Sequence, residues 1–172
     1  MFVQKLFVIL VLSVGVCIAQ TATAKVPEPE TIGAYFYLDA ASQTLKRLPK
    51  EEWKRHRGTG FTTFSDNIKV DGAESPFHIS DNKPTFVFKV FKDEDAGKTK
   101  LFRFEVKGGG REYELAKWKR KDVTYNEGVT LNVSKFGTSS YSMTPESPLE
   151  PGEYAIAAGS LVLTFAVGAA GK

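Results

Sequence analysis

Cysteine is all but missing from this chain: Cys17 is its only one, and it lies in the apolar N-terminal run. Beyond that run, disulfides, thiol catalysis and cysteine-ligated metals are excluded, even though an exported chain could have used disulfides. Histidine is nearly as scarce. His56 sits in the basic run "KRHR" and His78 between Phe77 and Ile79. Cationic neighbours disfavour an imidazolium and repel a metal ion, so neither a zinc site nor a serine–histidine pair is expected, and there is no G-x-S-x-G elbow. No sign of charge dominates either. Taking Lys5 of the leader from the 23 Lys and Arg leaves 22 against 20 Asp and Glu, a net charge too small for a dedicated nucleic-acid binder. Long apolar runs are lacking after the N-terminus. The segment Ala155 to Ala170 is broken by Gly159, Ser160 and Thr164 and is short for a bilayer span of about 20 residues.

What is present begins with a leader. Lys5, the apolar stretch Leu6 to Ile18 and the small residues Ala22-Thr23-Ala24 read as a secretory signal peptide over residues 1–24 with an A-x-A-like cleavage site. The chain is therefore expected in the periplasm or outside the cell, with no transmembrane span after cleavage. Residues 25–33, with Pro27 and Pro29, read as an extended lead-in. Residues 34–172 read as a single domain, about the size at which one core suffices.

Within that domain the hydrophobic pattern has a period near two. "TFVFKVF" places Phe86, Phe88 and Val90 on one face, and "KLFRFEV" alternates Phe102, Phe104 and Val106 with Arg103 and Glu105, the pattern of half-buried antiparallel strands. Asp71-Gly72, the triple glycine Gly108 to Gly110 and Ala158-Gly159-Ser160 mark turns. Pro151-Gly152 fits the central positions of a type II turn that leads into the last hairpin. "LVLTFAV" is apolar on both faces and is expected in a strand covered on both sides. Only "LPKEEWKRHR", Leu48 to Arg57, offers a helical turn. About nine or ten short strands with frequent turns predict an antiparallel β-sandwich, Ig-like or jelly-roll-like, with a β-barrel as the alternative.

Short motif matches fail on chemistry. "AGKTK" lacks the first glycine of a phosphate loop, since Lys92 holds that place. "DEDAGK" from Asp93 has Phe104 where a calcium loop needs a bidentate glutamate. The loop acids Asp39, Asp66, Asp71 and Asp122 could converge as a hydrolase pair only through the fold. The distinctive surface feature is that both tryptophans lie in cationic clusters. Trp53 is followed by Lys54, Arg55 and Arg57, and Trp118 is set among Lys117, Lys119, Arg120 and Lys121. Aromatic faces interleaved with cations bind anionic or sugar-containing polymers; the competing explanation is that lysines guard sheet edges while the tryptophans pack.

"GAYFYLDAASQTLKRLPKEE", "KPTFVFKV" and the closing Leu149-Glu150-Pro151-Gly152-Glu153-Tyr154-Ala155 resemble segments of small secreted bacterial β-sandwich proteins. The resemblance implies export and a β fold, and it carries over no catalytic residue. The sequence thus predicts an exported, non-catalytic binding or cell-envelope-associated module that needs no cofactor or metal. An envelope polymer, a polyanion or a protein is its expected partner; a small secreted hydrolase using loop carboxylates is the alternative.

Overall fold

In the computed structural model, which describes residues 26–60, 62–91 and 94–168, the chain is built almost wholly of strands. They are β1 (Tyr35–Asp39), β2 (Thr44–Arg47), β3 (Trp53–Thr59), β4 (Thr63–Asp71), β5 (His78–Ile79), β6 (Thr85–Phe88) and β7 (Lys100–Arg103). Then follow β8 (Glu105–Lys107), β9 (Gly110–Lys119), β10 (Asp122–Tyr125), β11 (Leu131–Phe136), β12 (Ser140–Pro145), β13 (Gly152–Ala158) and β14 (Leu161–Val167). A single turn of 3-10 helix, Ala96–Lys98, precedes β7. The expected leader with Cys17, and Asp93 of the discounted calcium loop, lie outside the described residues. Among the described residues no helix is long and apolar enough to cross a membrane.

The strands form three sheets, none closed into a barrel. A front sheet runs β11-β12-β6-β1-β2, a middle sheet β5-β14-β13-β7, and a back sheet β10-β9-β4-β3 with β8 also on β9. All ladders are antiparallel except the short β14–β5 pair. Two apolar clusters show how they stack. One joins Tyr35, Phe86, Phe88 and Met143 of the front sheet to Ile156, Leu163 and Phe165 of the middle sheet. The other joins Phe102, Ala155 and Val162 of the middle sheet to Ile68, Val70 and Tyr113 of the back sheet. β14 therefore sends alternate residues into two different cores, which is why "LVLTFAV" is apolar on both faces.

Several turns follow from glycine chemistry. Lys107 pairs with Gly110, so Gly108 and Gly109 are the two loop residues, with φ of 56° and 76°, as a type I′ hairpin turn requires. Gly159 does similar work between β13 and β14 at φ 59°.

The structure also departs from the sequence reading. "KLFRFEV" is not one strand: it breaks at Phe104, so β7 pairs with β13 in the middle sheet while β8 pairs with β9 in the back sheet. Phe102 and Phe104 are buried as expected, whereas Val106, beyond the crossing, is exposed. The helical turn expected in Leu48–Arg57 does not form, because Trp53 to Thr59 pair residue by residue with β4. Such crossings and short edge strands raise the strand count above nine or ten. Gly152 opens β13 at φ 157°, not the roughly +80° of a type II turn. What a side chain there would meet is the Arg103 guanidinium, whose Nε lies 3.0 Å from the Cβ position.

Candidate functional site

The back sheet has one face toward the middle sheet, and its register builds that face in four rungs. Trp53, Val70 and Arg111 stand side by side, then Arg55, Ile68 and Tyr113, then Arg57, Asp66, Ala116 and Tyr125, and last Thr59, Phe64, Trp118 and Val123. The first two rungs lie under the middle sheet except at Arg55, whose side chain is 59% exposed. Val70 is 1% exposed, and the Tyr113 ring stacks on Phe102 at 4.3 Å. The last two rungs are open apart from Asp66 and Ala116, each 4% exposed: Phe64 is 56% and Tyr125 67% exposed. The result is a cleft of about 980 Å³ where the inter-sheet space opens to solvent, with Lys100 and Glu127 on its rim. That volume is at the top of the usual range for ligand sites, about 300–1,000 Å³.

A bulge decides which residues reach the cleft. The β4–β9 register shifts between Asp66 and Asn67, leaving Leu115 as the extra residue. Strict alternation from Arg111 and Tyr113 would have continued inward through Leu115, Lys117 and Lys119. With the bulge, Leu115 and Ala116 both face in, and Trp118 and Arg120 follow them into the cleft. Bulges of this kind re-aim side chains near functional sites. Arg120, in the β9–β10 turn, has φ 59°, a left-handed backbone that non-glycine residues adopt at a cost.

The charges are arranged unevenly. Arg55, Arg57, Lys100 and Arg120 face two carboxylates, Asp66 and Glu127. Arg55 Nε donates to Asp66 Oδ1 at 2.7 Å and Oδ2 at 3.0 Å, and its Nη2 also donates to Oδ2. This bidentate hydrogen bonding holds the Asp66 carboxyl below its usual range against the opposing effect of burial. Lys100 Nζ pairs with Glu127 Oε2 at 3.1 Å. Arg57 and Arg120 form no ion pair among the described residues, so two guanidiniums remain open to a ligand.

The nine sequence candidates divide accordingly. Arg55, Arg57, Trp118 and Arg120 line the cleft. Trp53 does not: it packs against the inter-sheet core, and its Nε1 donates to the Ser160 carbonyl at 3.0 Å. Lys54 alternates to the opposite face and pairs with Asp71 at 3.0 Å. Lys117 alternates away too, 3.8 Å from Glu114, and Lys119 and Lys121 are exposed outside the cleft lining. Sequence reasoning missed Phe64, Asp66 as a wall residue, Lys100, Tyr125 and Glu127. Phe64 was within reach of it, since it shares parity with Ile68 and Val70 along β4. Tyr125 joins only through the β9–β10 register.

The acids proposed for hydrolysis are not brought together. Asp39 belongs to the front sheet, where it caps the β1–β2 turn and pairs with Lys46 at 2.6 Å. Asp71 ends β4 beside Lys54, and Asp122 alternates with inward Val123. Two other acids do converge. Glu51 and Glu153 flank Arg111, which is 0% exposed between the middle and back sheets. Arg111 donates to Glu51 Oε1 at 2.9 Å and to the Gly72 carbonyl at 3.0 Å, while its Nη1 lies 3.6 Å from Glu153 Oε2. Ser75 N–H donates to Glu153, Thr164 Oγ1 donates to Glu51, and Thr164 also meets Ser75 Oγ. Burial pushes the Glu153 carboxyl up, partly offset by the Ser75 hydrogen bond and the Arg111 charge. This network is closed over by both sheets, and its chemistry is that of a buried structural ion cluster.

Compared with protein-family models, curated proteins and solved structures, the chain matches none.

Proposed function

We propose that the protein is an exported, non-catalytic binding module whose ligand site is the cleft at the open end of the back sheet. The observation that carries this reading is the pairing of three aromatic side chains, exposed Phe64 and Tyr125 and half-buried Trp118, with two guanidiniums, Arg57 and Arg120, that form no ion pair among the described residues, inside one cleft. Aromatic faces and arginines together suit a ligand with flat apolar faces and negative charge. The leader-like N-terminus and the resemblance of the closing hairpin to secreted bacterial proteins support export.

The hydrolase reading has one observation in its favour, that Asp66 and Glu127 both line the cleft. A general acid must hold a proton near neutral pH, which needs a raised carboxyl value. Asp66 is shifted the opposite way by Arg55, and Glu127 is engaged by Lys100. Binding is therefore the reading we adopt.

Retention on a dextran sulfate column at moderate salt tests it with charge held equal. Arg57→Ser/Arg120→Ser removes two cations from the cleft, and Lys119→Ser/Lys121→Ser removes two from outside it. The first pair should elute markedly earlier than the second, and Trp118→Ala should elute early with no change of charge. Equal shifts for both pairs, with Trp118→Ala unchanged, would overturn the site.

A further inference from the structure

Resting on the cleft as the binding site, we infer that its ligand is an acidic oligosaccharide, a glycan segment whose sugar rings carry carboxylates. Three features of the walls select this class. Phe64 and Trp118 are direct cross-strand partners, and Tyr125 stands one rung away beside Ala116, so aromatic side chains stand on two neighbouring rungs of the cleft rather than at a single point. Aromatic side chains so placed suit the apolar C–H faces of successive sugars. They equally suit the bases of a single-stranded nucleic acid, so the aromatics alone do not choose.

The charges choose. Arg57 and Arg120 present planar forks with no ion-pair partner among the described residues, the geometry that takes carboxylates in bidentate fashion. At the rim the cleft also presents the Glu127 carboxylate, and an ionised carboxylate accepts hydrogen bonds but donates none. Glu127 is 82% exposed on its side chain, so its free oxygen positions face whatever enters. A ligand that meets both sets of groups must alternate negative charge with hydroxyl donors along its length. A uronate-containing glycan does so. A nucleic acid strand, with a phosphate at every step, would set negative charge against Glu127 at the rim as well as against the arginines.

Isothermal titration of the protein with four probes decides the class: a galacturonate tetramer, a glucuronate tetramer, the fully methyl-esterified galacturonate tetramer, and a thymidylate oligomer of equal charge. At least one uronate tetramer should bind about tenfold or more tighter than the ester, since charge-assisted hydrogen bonds are lost, and tighter than the thymidylate by a similar factor. Trp118→Ala should weaken the tetramer about tenfold, and Arg57→Ser/Arg120→Ser should erase the preference for acid over ester. Tightest binding by thymidylate, sensitive to Trp118 and Arg57, would overturn the glycan class and keep the site. Failure of both uronates with dextran sulfate retention still dependent on Arg57 and Arg120 would do the same. Failure of every probe together with retention indifferent to those arginines would overturn the class and the site at once.

Discussion

The inner face of the back sheet is one continuous surface with two fates. At one end Trp53, Val70, Arg111 and Tyr113 are covered by the middle sheet; at the other Arg57, Phe64, Trp118 and Tyr125 are not. Both ends pair tryptophan with arginine, and both tryptophans are half-buried. The chemistry of the residues therefore does not separate core from site. Cover does. Under the middle sheet, an arginine must bring its own counter-ions and a tryptophan its own acceptor, and Arg111 and Trp53 each do so. Past the edge of that sheet, the same residue types are left with unused capacity.

The sharpest way to test the closed end is to remove its cation. Arg111→Ala leaves Glu51 and Glu153 facing one another between two sheets without their shared partner. Breaking a buried ion pair in this way costs about 3–5 kcal/mol, so the urea midpoint should collapse or the chain should fail to fold cooperatively. A midpoint close to that of the parent would mean that solvent reaches the cluster and that the two ends are less different than the burial of Arg111 indicates.

The tryptophans make the direct comparison. Trp53→Ala removes a ring from the inter-sheet core and leaves the Ser160 carbonyl without its donor, at a cost of about 2–3 kcal/mol, somewhat below the loss for a fully buried tryptophan. Trp118→Ala removes a half-buried side chain opposite Phe64 in the β4–β9 register, where a cross-strand neighbour is worth about 0.2–1 kcal/mol, yet it should abolish most of the retention on a polyanion. Thermal unfolding and column retention measured on both variants give a crossed result if the comparison holds. Equal destabilisation would break it.

Much of the fold was readable because strands announce themselves locally. The alternation in "TFVFKVF", the glycines of the β8–β9 turn and the two-faced "LVLTFAV" each carry their own signal, and the last predicts a covered strand. Three things were not readable. The sheet switch at Phe104 occurs inside an unbroken alternation, since Phe102 and Val106 are apolar on either side of it. β3 is a run of cations and polar residues whose strand state comes from pairing with β4 rather than from its own pattern. The bulge at Leu115 resets parity, so a straight reading of β9 puts Lys117 beside Tyr113 and turns Trp118 away. For the same reason the basic clusters mix Arg55, Arg57, Trp118 and Arg120 of the cleft with Lys54, Lys117, Lys119 and Lys121 outside it. Residues brought in by register, such as Tyr125 and Glu127, leave no mark in the local sequence.

A milder change probes the open end through its backbone. Arg120 occupies a left-handed conformation that glycine adopts freely and other residues adopt at about 1–2 kcal/mol. Arg120→Gly should leave stability in thermal unfolding unchanged or raise it, by roughly 1 kcal/mol at most, while weakening retention on dextran sulfate. Stability and binding would then move in opposite directions at the open end, as they cannot at Arg111. A loss of stability in this variant would mean that the guanidinium holds the turn rather than serving a ligand.

The smallest effect sets two carboxyls against each other. Asp66, at the open end, is held low by Arg55, whereas Glu153, at the closed end, is pushed up by burial. Between the ordinary glutamate value of 4.5 and the raised value of Glu153, the folded chain keeps a proton that the unfolded chain has released. Stability therefore falls as pH rises through that window and stays lower above it. Lowered carboxyls act in the opposite sense. Glu28, which accepts from the Thr138 and Ser139 N–H groups, and Asp39, beside Lys46, both sit at about 2. Their contributions are present above the ordinary values of 4.5 and 3.8 and are lost as pH falls toward 2, so the two windows do not overlap. Glu153→Gln keeps an oxygen for the Ser75 N–H and removes the titration. Urea midpoints measured from pH 4.5 upward should decline in the parent and decline less in the variant, with a modest difference because Arg111 already offsets part of the burial. Parallel curves would show that the closed end is not dry enough to disfavour a charge, and that cover alone does not divide this face into core and site.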